Sequence, residues 1–380
     1  MDLDLTEEQR MFRQTVREFA NAEIAPRAKE LDVAGEFPYD VQAKMADLGL
    51  FGLPIPEEYG GCDTDLVTYA LAVEEISRVS VSMSITMAAH TSLSALPLFK
   101  HGTDEQKQEF LIPLARGEAL GAFGLTEPEA GSDAGATRTT AVLDGDEWVV
   151  NGTKCFITNS GTKITKIVTV TAVTSTDGRR EISNIIIPNG TPGFTVAPSY
   201  EKMGWHSSDT HELSFSDCRV PKENLLGERG QGFKLFLEAL DCGRIGVAAM
   251  SVGLAQACLD ESVQYSKQRV QFNKPICKFE AVSFKIADML MEVELARQAT
   301  IKAAWLADQG RPYTRDASIA KLFASETAMR AASAAVQIHG GYGYIEDYPV
   351  CRYFRDAKIL EIGEGTSEVQ RLVLSRGLGL

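Results

Sequence analysis

The stretch AVLDGDEWVVNGTKCFITNS, residues 141–160, has the sequence pattern of β-strands, whereas the two ends of the chain have the pattern of helices. This contrast indicates the fold class. Short runs of β-branched and aromatic residues alternate there with Asp144-Gly145 and Asn151-Gly152, which are strong hairpin signals. The same β-rich pattern continues in KIVTVTAV, EISNIIIP, GFTVAP and HELSFSDCRV, and another Asp-Gly turn is predicted at Asp177-Gly178. Closely spaced strands with no helix between them predict an antiparallel sheet, folded as a small barrel or sandwich.

Helical patterns lie on both sides of this stretch. Near the N-terminus, Thr6 and Gln9 have the spacing of a capping box ahead of a segment with one apolar face. Toward the C-terminus, long helices are expected from about residue 232 to 267, 279 to 306 and 314 to 338, rich in the small residues that suit a bundle. The fold class is therefore predicted as α+β multidomain: 1–120 all-α, 121–232 a middle β-barrel and 233–380 a helical bundle.

Composition narrows the classes of function. The 380 residues carry a net charge of -14, which argues against a nucleic-acid surface because such surfaces need dense Lys and Arg. The 7 cysteines are scattered without a CxxC pair, so neither a disulfide framework nor a metal site is expected, and a reducing compartment fits. No apolar run is long enough to predict a membrane span. The acidic start MDLDLTEEQR has no leader pattern, and the expected location is cytoplasmic, or mitochondrial matrix after processing.

Two candidate segments lie in the β-rich part. FGLTEPEAGSDAG, residues 123–135, combines glycines with the hydroxyls of Thr126 and Ser132, and glycines allow a ligand to approach the backbone closely. A domain-boundary loop would look the same. In NGTKCFITNSG, residues 151–161, Phe156 and Thr158 are two apart and should face one side of a strand. An aromatic ring with a donor suits an isoalloxazine, and an ordinary inward-facing pair is the alternative.

Two more candidate segments follow the last long helix. In IHGGYGY, residues 338–344, the two glycines predict a helix C-cap, with a ligand loop as the alternative. In EIGEGTSEVQR, residues 361–371, Glu364 lies between two glycines, so its carboxylate could project into a cleft. Thr366 or Ser367 could instead simply cap a helix whose first turn holds Glu368.

The order of these segments identifies a resemblance that none of them carries alone. The succession LTEPEAGSD, NGTKCFITN, MGWHSSDTHELSFSDCRVPKENLLG, LDCGRIGVAA, QRVQFNKPICKFE, QIHGGYGY and YFRDAKILEIGEGTSEVQR resembles the acyl-CoA dehydrogenase family over essentially the whole chain. GRIG and EGTSE are similar to its short-chain, butyryl-type branch. The resemblance implies an N-terminal helical domain, a middle antiparallel β-barrel and a C-terminal four-helix bundle.

The resemblance also implies a cofactor and partners. Family members form homotetramers, built as dimers of dimers, and hold one FAD per subunit between the β and C-terminal domains, with the neighbouring subunit completing the site. They oxidise an acyl-CoA thioester to a trans-2-enoyl-CoA and pass the electrons to an electron-transferring flavoprotein. No nucleic-acid or membrane partner is implied.

The resemblance assigns roles to individual residues. Glu364 matches the catalytic base, which removes the α-proton of the thioester as hydride leaves Cβ for flavin N5. The residues implied to contact FAD are Phe123, Leu125, Thr126, Gly131, Ser132, Phe156, Ile157, Thr158, Arg269, Phe272, Phe279, Gln337, Ile338, Gly340, Gly341, Thr366, Ser367 and Glu368. Those from Arg269 to Gly341 are implied to contact mainly the FAD of the neighbouring subunit. Those implied to contact substrate are Ser132, Asp241, Arg244 and Gly365.

Four positions bear on the site when they are set against the family pattern, and one of them is Ser84, which falls roughly where glutaryl-type members carry an Arg for a distal carboxylate. Gly363 stands where most relatives have Tyr, which predicts a wider pocket beside the base, and Glu280 stands where a Gln commonly contacts FAD. Gly243 lacks the carboxylate that isovaleryl-type members place there as base, so Glu364 has no rival. An acyl-CoA oxidase using O2 on the same fold, and a non-catalytic assembly protein on a degenerate copy of it, are the alternative readings.

Overall fold

The N-terminal part of the computed structural model, which describes residues 4–175 and 180–380, consists of helices. The predicted capping box is confirmed: the Gln9 N–H donates to Thr6 Oγ1 over 3.1 Å, and the Thr6 N–H donates to Gln9 Oε1 over 3.0 Å. The α-helices of this part are α1 Glu7–Phe19, α2 Ala28–Ala34, α3 Tyr39–Asp47, α4 Leu66–Ser77, α5 Val81–Ala89, α6 Leu96–His101, α7 Asp104–Gln106 and α8 Ile112–Ala115.

The middle part is a β domain. Its strands are β1 Leu120–Gly124, β2 Thr140–Asp144, β3 Glu147–Thr158, β4 Thr165–Val173, β5 Ile182–Pro188, β6 Phe194–Val196, β7 Thr210–Pro221 and β8 Leu225–Leu226. They form one sheet in the order β6-β7-β3-β2-β4-β5-β8, with β1 beside β4. Within residues 4–175 and 180–380 no strand pairing joins β6 to β8, so the predicted closed barrel is not confirmed.

One strand also departs from the antiparallel pattern that the sequence predicted. β1 runs parallel to β4, and β2 touches β4 in parallel at one position. The chain between β1 and β4 includes a loop and the β2–β3 hairpin, so it is long enough for the crossover that parallel neighbours need. The prediction of a purely antiparallel sheet was therefore wrong at this strand.

Of the three predicted Asp-Gly and Asn-Gly turns, one is confirmed. Asp144 pairs with Glu147 across a two-residue hairpin between β2 and β3. The Asn151-Gly152 turn was wrong: both residues lie inside β3, where Gly152 has φ +150 at an irregularity opposite β7. A Cβ on Gly152 would lie 2.4 Å from Thr139 Oγ1, so the glycine permits a close approach of two chains. Asp177-Gly178 lies outside the described residues.

The C-terminal part is again helical, and its three long helices match the predicted ones. Its α-helices are α9 Gly232–Gln268, α10 Glu280–Asp308, α11 Thr314–His339, α12 Val350–Leu360 and α13 Ser367–Gly377. The short strands β9 Val270–Gln271 and β10 Lys274–Pro275 pair between α9 and α10. α9 packs against α10, α11 and α12, and α13 packs against α11. The division into domains at residues 120 and 232 stays a prediction.

α9 is the central helix of the molecule. By length and apolar composition it is the only helix among the described residues that could span a membrane, but 94% of its most apolar stretch is buried inside the fold. It also contacts α4, α5 and α6 of the N-terminal part and β5 of the sheet. Because all three parts meet on α9, side chains from each of them can converge along it.

Candidate active site

Glu364 lies in the short loop between α12 and α13, in a backbone conformation that few side chains adopt. Its φ is +52, and that of Gly365 is +97, so two successive residues are left-handed. The Gly365 carbonyl accepts hydrogen bonds from Lys321 Nζ over 2.7 Å and from Gln370 Nε2 over 3.0 Å. Strain of this kind persists only where the surroundings enforce it and is concentrated at functional sites.

The Glu364 carboxylate reaches α9 at Gly243. A Cβ atom on Gly243 would lie 1.7 Å from Glu364 Oε2, so the carboxylate occupies the place of the missing side chain. Glu364 Oε2 is buried and has no hydrogen-bond partner among the described residues. A buried, unpartnered carboxylate oxygen is costly, and each such group in a native protein needs an explanation, a catalytic role being one.

The charge state of Glu364 follows from this position. Burial raises the pKa of Glu364 to about 7, and the positive charges of Lys321 and Arg244 oppose the rise. A carboxylate whose pKa lies near neutrality is a much stronger base than an exposed one and is still ionised in a large fraction of molecules.

Arg244 and Asp241, the two charged residues implied to contact substrate, are paired with each other. Arg244 Nη1 and Asp241 Oδ1 lie 2.6 Å apart one turn along α9, and the Thr314 hydroxyl donates to the other carboxylate oxygen. Arg244 is buried and its Nε has no partner among the described residues. The Asp241 carboxylate is thus already satisfied within the protein, whereas Arg244 retains a free donor.

The two candidate segments of the β domain lie side by side. The Cys155 N–H donates to the Thr126 carbonyl over 2.8 Å, which joins the Phe123–Ser132 segment to β3. Ile157 is buried, whereas Phe156 is 65% exposed and Thr158 half-buried. The ordinary inward-facing pair that the sequence left open is therefore wrong for Phe156, whose φ of +61 turns the ring out beside Tyr200.

A buried ion pair lies behind these segments. Lys154 is 0% exposed, and its Nζ lies 2.7 Å from Glu127 Oε1 and 3.1 Å from the Leu125 carbonyl oxygen. Glu127 also accepts from the backbone N–H groups of Arg138 and Thr139. The ion pair lowers the pKa of Glu127 in spite of its burial. It ties the loop after β1 to the middle of β3.

Four of the predicted residues from 269 to 341 form a separate cluster. Arg269, Ile338, Gly340 and Gly341 line a cavity of about 550 Å³, and Gly340 caps α11 with φ +61, as the sequence predicted. Arg269 directly follows α9, and at ~1.5 Å per helical residue it is roughly 40 Å from Gly243 along the helix axis. This cluster therefore cannot reach the ligand that Glu364 would contact in the same subunit.

The remaining predicted residues are accounted for as follows. Phe123 is buried and stacks on Phe236 of α9 at 5.4 Å between ring centroids, while Gly131 and Ser132 are exposed. Phe272 is exposed, with its ring edge-on to Phe279. The residues Leu125, Thr126 and Thr366 are half-buried, and Gln337, Glu280 and Glu368 are exposed.

The sequence did not identify Lys321, Gln370 or the Lys154–Glu127 pair. Lys321 is 0% exposed on α11, between the buried Ala317 and Ala324. A lysine at an apolar position of an alanine-rich helix was the signal that could have found it, because lysine is almost never fully buried unless it is paired.

Three family models match consecutive parts of the chain. They describe the N-terminal domain of acyl-CoA dehydrogenase at residues 6–118, the middle domain at 122–218 and the C-terminal domain at 230–379. The chain belongs to the acyl-CoA dehydrogenase family. Enzymes of this family are FAD-dependent oxidoreductases.

Individual acyl-CoA dehydrogenases match over their full length. A probable acyl-CoA dehydrogenase of Bacillus subtilis, YngJ, is 55% identical, with 100% of each chain covered. The structure of butyryl-CoA dehydrogenase from Megasphaera elsdenii is 47% identical with a TM-score of 0.97, covering 100% of each chain. A chain in a structure of the electron transferring flavoprotein of Acidaminococcus fermentans is 49% identical, with a TM-score of 0.97, and covers 100% of this chain and 99% of that one. The resemblance to the short-chain branch is confirmed.

The residues of this acyl-CoA dehydrogenase fit a flat cofactor with a phosphate-bearing tail. Phe156 offers an exposed ring, and a Cβ on Gly131, Gly340 or Gly341 would meet nothing within 4 Å. Ser367 Oγ is buried without a partner among the described residues, at the N-terminus of α13, where helix amides favour anions. In the part of the chain that the structure describes, no cluster of His, Cys, Asp or Glu could hold a metal ion.

Proposed function

We propose that this protein is a short-chain acyl-CoA dehydrogenase that oxidises an acyl-CoA thioester to the trans-2-enoyl-CoA, with Glu364 as the base. One observation carries the proposal: Oε2 of the Glu364 carboxylate is buried, has no hydrogen-bond partner among the described residues and occupies the space opposite Gly243. The identity to butyryl-CoA dehydrogenase over the full chain supports the short-chain substrate.

Glu364 has the properties that α-proton removal needs. The α-proton of a thioester is weakly acidic, so the base must be strong, and the raised pKa of Glu364, caused by burial, provides this. FAD, when bound, supplies the acceptor for the hydride that leaves Cβ. The left-handed turn at Glu364 and Gly365 directs the carboxylate away from its own helix and toward α9.

The same turn leaves a donor for the thioester oxygen. Negative charge develops on that oxygen as the α-proton leaves, and a preorganised backbone N–H there lowers the barrier by typically about 3 kcal/mol. Within the described residues the Glu364 N–H donates to no backbone carbonyl. We infer that it binds the thioester oxygen, so that one residue contributes both the base and an oxyanion donor.

The separate cluster at the far end of α9 supports a shared FAD site in a homotetramer. Arg269, Gly340 and Gly341 are too far from Glu364 to serve the same subunit, so we infer that they hold the neighbour's FAD. α10 also has an exposed apolar face, formed by Phe284, Met291 and Leu295. Such a face suits coverage by another copy. Light scattering of the holoenzyme tests this, because a monomer that still holds FAD would contradict it.

We further propose that an electron-transferring flavoprotein takes the electrons, a role supported by the full-length similarity to a chain from such a structure. The cytoplasmic or matrix location and the individual FAD and substrate contacts stay predictions.

The function is tested by anaerobic reduction of the bound flavin with butyryl-CoA. The readout is the loss of the visible absorbance of the flavin. The flavin of the wild type should be bleached, whereas that of Glu364→Gln should be reduced roughly 10⁴-fold more slowly, the upper end of what a general base contributes. The variant should still bind FAD and acyl-CoA, since only the base is lost. Glu361→Gln is a matched control, because Glu361 lies in the same loop and pairs with Lys358 over 2.6 Å. A wild-type rate in Glu364→Gln contradicts the mechanism, and rapid peroxide formation during turnover favours the acyl-CoA oxidase alternative.

A further inference from the structure

Lys321 is a buried cation next to the base, and no part of the chemistry described above uses it. It lies on α11 with 0% of its surface exposed, and its ammonium donates to the Gly365 carbonyl over 2.7 Å. Among the described residues no carboxylate lies within 4 Å of that ammonium, so it is not held by an ordinary salt bridge. Burying a lysine without a paired anion is costly, and such an arrangement calls for a role.

The Gly365 carbonyl is held from two sides by donors of different charge. Gln370 on α13 donates to it over 3.0 Å and also to the Glu364 carbonyl over 3.3 Å. Lys321 and Gln370 therefore both fix the left-handed turn at Glu364, but only Lys321 brings a charge. This pair allows the structural effect of a hydrogen bond to be separated from the electrostatic effect of the ammonium.

The charges around the base favour an electrostatic role. Glu364 faces Lys321 on α11 and Arg244 on α9, and also the neutral side chains of Tyr69 and Cys242. Arg244 is already paired with Asp241, whereas Lys321 meets only a carbonyl dipole. The carboxylates that act on Lys321 are Glu364 first and then Glu361 and Glu368. Lys321 is thus the cation near Glu364 whose charge is least neutralised by other groups.

We propose that Lys321 is a positioning residue for the base: it clamps the Gly365 carbonyl and places an uncompensated positive charge beside Glu364, which keeps that carboxylate ionised and directed at the substrate. The proposal rests on the proposed function, because it assigns Lys321 a part in the same site. Burial raises the pKa of Glu364 and the Lys321 charge lowers it, so removal of the charge should leave Glu364 protonated at neutral pH.

The test compares three variants of the holoenzyme. Lys321→Met removes the charge and the hydrogen bond, Lys321→Arg retains a charge, and Gln370→Leu removes the other donor to Gly365 without changing the charge. The protonation of Glu364 is followed by infrared difference spectroscopy of the carboxylic-acid C=O band, with Glu364→Gln as the subtraction reference. The rate of flavin reduction by butyryl-CoA is measured over the same pH range.

In Lys321→Met, the midpoint of the infrared titration of Glu364 should rise by about one pH unit or more, because loss of a neighbouring opposite charge has an effect of this size. Flavin reduction at pH 7 should fall about fivefold or more and recover at higher pH, because a smaller fraction of Glu364 is ionised at pH 7. Gln370→Leu should lower the rate equally at every pH, and Lys321→Arg should keep the wild-type midpoint.

An unchanged midpoint in Lys321→Met, or an equal displacement in Gln370→Leu, overturns the proposal and leaves Lys321 a purely structural residue. If Lys321→Met does not fold, Lys321→Gln takes its place, since it keeps a donor without a charge and predicts the same displacement. If acyl-CoA thioesters fail to reduce the wild-type flavin, the proposed function fails, but the infrared titration still decides whether Lys321 keeps Glu364 ionised.

Discussion

Gly243 and Glu364 occupy one small volume: a Cβ atom on Gly243 would lie 1.7 Å from Glu364 Oε2 and 2.7 Å from its carboxyl carbon. Glycine inside a helix costs about 1 kcal/mol relative to alanine, and Gly243 lies well inside α9. The carboxylate explains why the helix carries glycine there. The missing side chain on one helix makes the space in which the base from a distant loop can be buried.

Gly243→Ala should therefore abolish most of the activity by displacing the base. The added methyl group cannot coexist with the carboxylate in its present place, so Glu364 must rotate away from the substrate. We expect flavin reduction by butyryl-CoA to fall at least 100-fold, since a misplaced general base loses the 10²–10⁴-fold that such a group contributes. Stopped-flow reduction under anaerobic conditions measures this, with FAD content as the check on folding.

Gly246→Ala is the matched control for that variant. It lies one turn further along α9, and its Cβ would lie 3.0 Å from Tyr69 Oη, which would have to move by a few tenths of an ångström, whereas a Cβ on Gly243 would overlap a carboxylate oxygen at 1.7 Å. Its rate of flavin reduction should stay within a few-fold of the wild type. If Gly243→Ala also keeps a near-normal rate, the Glu364 carboxylate does not act from the position described here.

The pH dependence of the free enzyme should report Glu364. The base works only when deprotonated, so kcat/KM should be low in acid, rise through about pH 7 and level off above it, because burial raises the pKa of Glu364 to about 7. A profile that instead rises near the ordinary value of 4.5 would mean that the carboxylate is solvated during turnover.

The same pKa also has a consequence for stability, which checks the assignment independently of activity. A pKa raised in the folded state stabilises the protein below the unfolded value of 4.5, and this contribution is lost as the pH rises to about 7. The Gln side chain of Glu364→Gln cannot ionise, so this variant does not lose stability over that pH range. The thermal midpoint of Glu364→Gln should therefore exceed that of the wild type by more at pH 8 than at pH 5, and equal differences would contradict a buried Glu364.

The sequence predicted those features that depend on local patterns. The helix–strand–helix order, the Thr6 capping box and the Asp144-Gly145 hairpin all rest on residues close together in the chain, and all three are present. Asn151-Gly152 has equally good local chemistry for a turn, but β3 pairs with β7 on both sides of this dipeptide and Gly152 permits a close approach to Thr139 instead. Tertiary pairing overrode the local preference.

The electrostatics of the site could not be predicted, because they depend on contacts between distant segments. Glu364 was found from its motif, yet its burial requires Gly243 on α9 and its turn requires Lys321 on α11. Gly243 and Lys321 are both separated from Glu364 by long stretches of chain. No motif in the sequence indicates that either of them contacts the Glu364 loop. The sequence noted that Gly243 lacks a rival carboxylate, whereas the structure adds that it must also lack a Cβ.

Lys154→Met should detach the Phe123–Ser132 segment from the sheet. Lys154 is buried against Glu127 and holds the Leu125 carbonyl over 3.1 Å, so its removal leaves a buried carboxylate without its cation. Breaking a buried ion pair by removing one partner typically costs about 3–5 kcal/mol in the free energy of unfolding. Denaturant unfolding should show this loss, and equilibrium dialysis should show weaker FAD binding.

Two further variants sharpen the Lys154 prediction. The double variant Lys154→Met with Glu127→Gln should recover part of the lost stability, because the orphaned charge is gone. Lys166→Met, on strand β4 of the same sheet, removes a lysine that lies 6.0 Å from the Phe110 ring centroid and pairs with no buried acid in the described residues, so this variant should bind FAD normally. Unaltered FAD binding in Lys154→Met would show that the ion pair stabilises the sheet alone.

Gly363→Tyr should narrow the substrate range. The family resemblance implies a Tyr before the base, whereas a Cβ at Gly363 would meet one atom within 4 Å among the described residues, the Ile359 carbonyl oxygen at 3.5 Å. The backbone φ of Gly363 is not left-handed, so a side chain is tolerated there without strain. A ring at this position fills space next to Glu364, where the reacting carbons of the acyl chain must lie.

We expect kcat/KM of Gly363→Tyr for branched acyl-CoA esters to fall at least tenfold more than for butyryl-CoA, since a blocked methyl group forfeits about 1–3 kcal/mol of binding. Gly363→Ala is the control and should change both classes of substrate equally and little. An equal loss for straight and branched esters in Gly363→Tyr would mean that Gly363 shapes the backbone of the loop and leaves the size of the pocket to other residues.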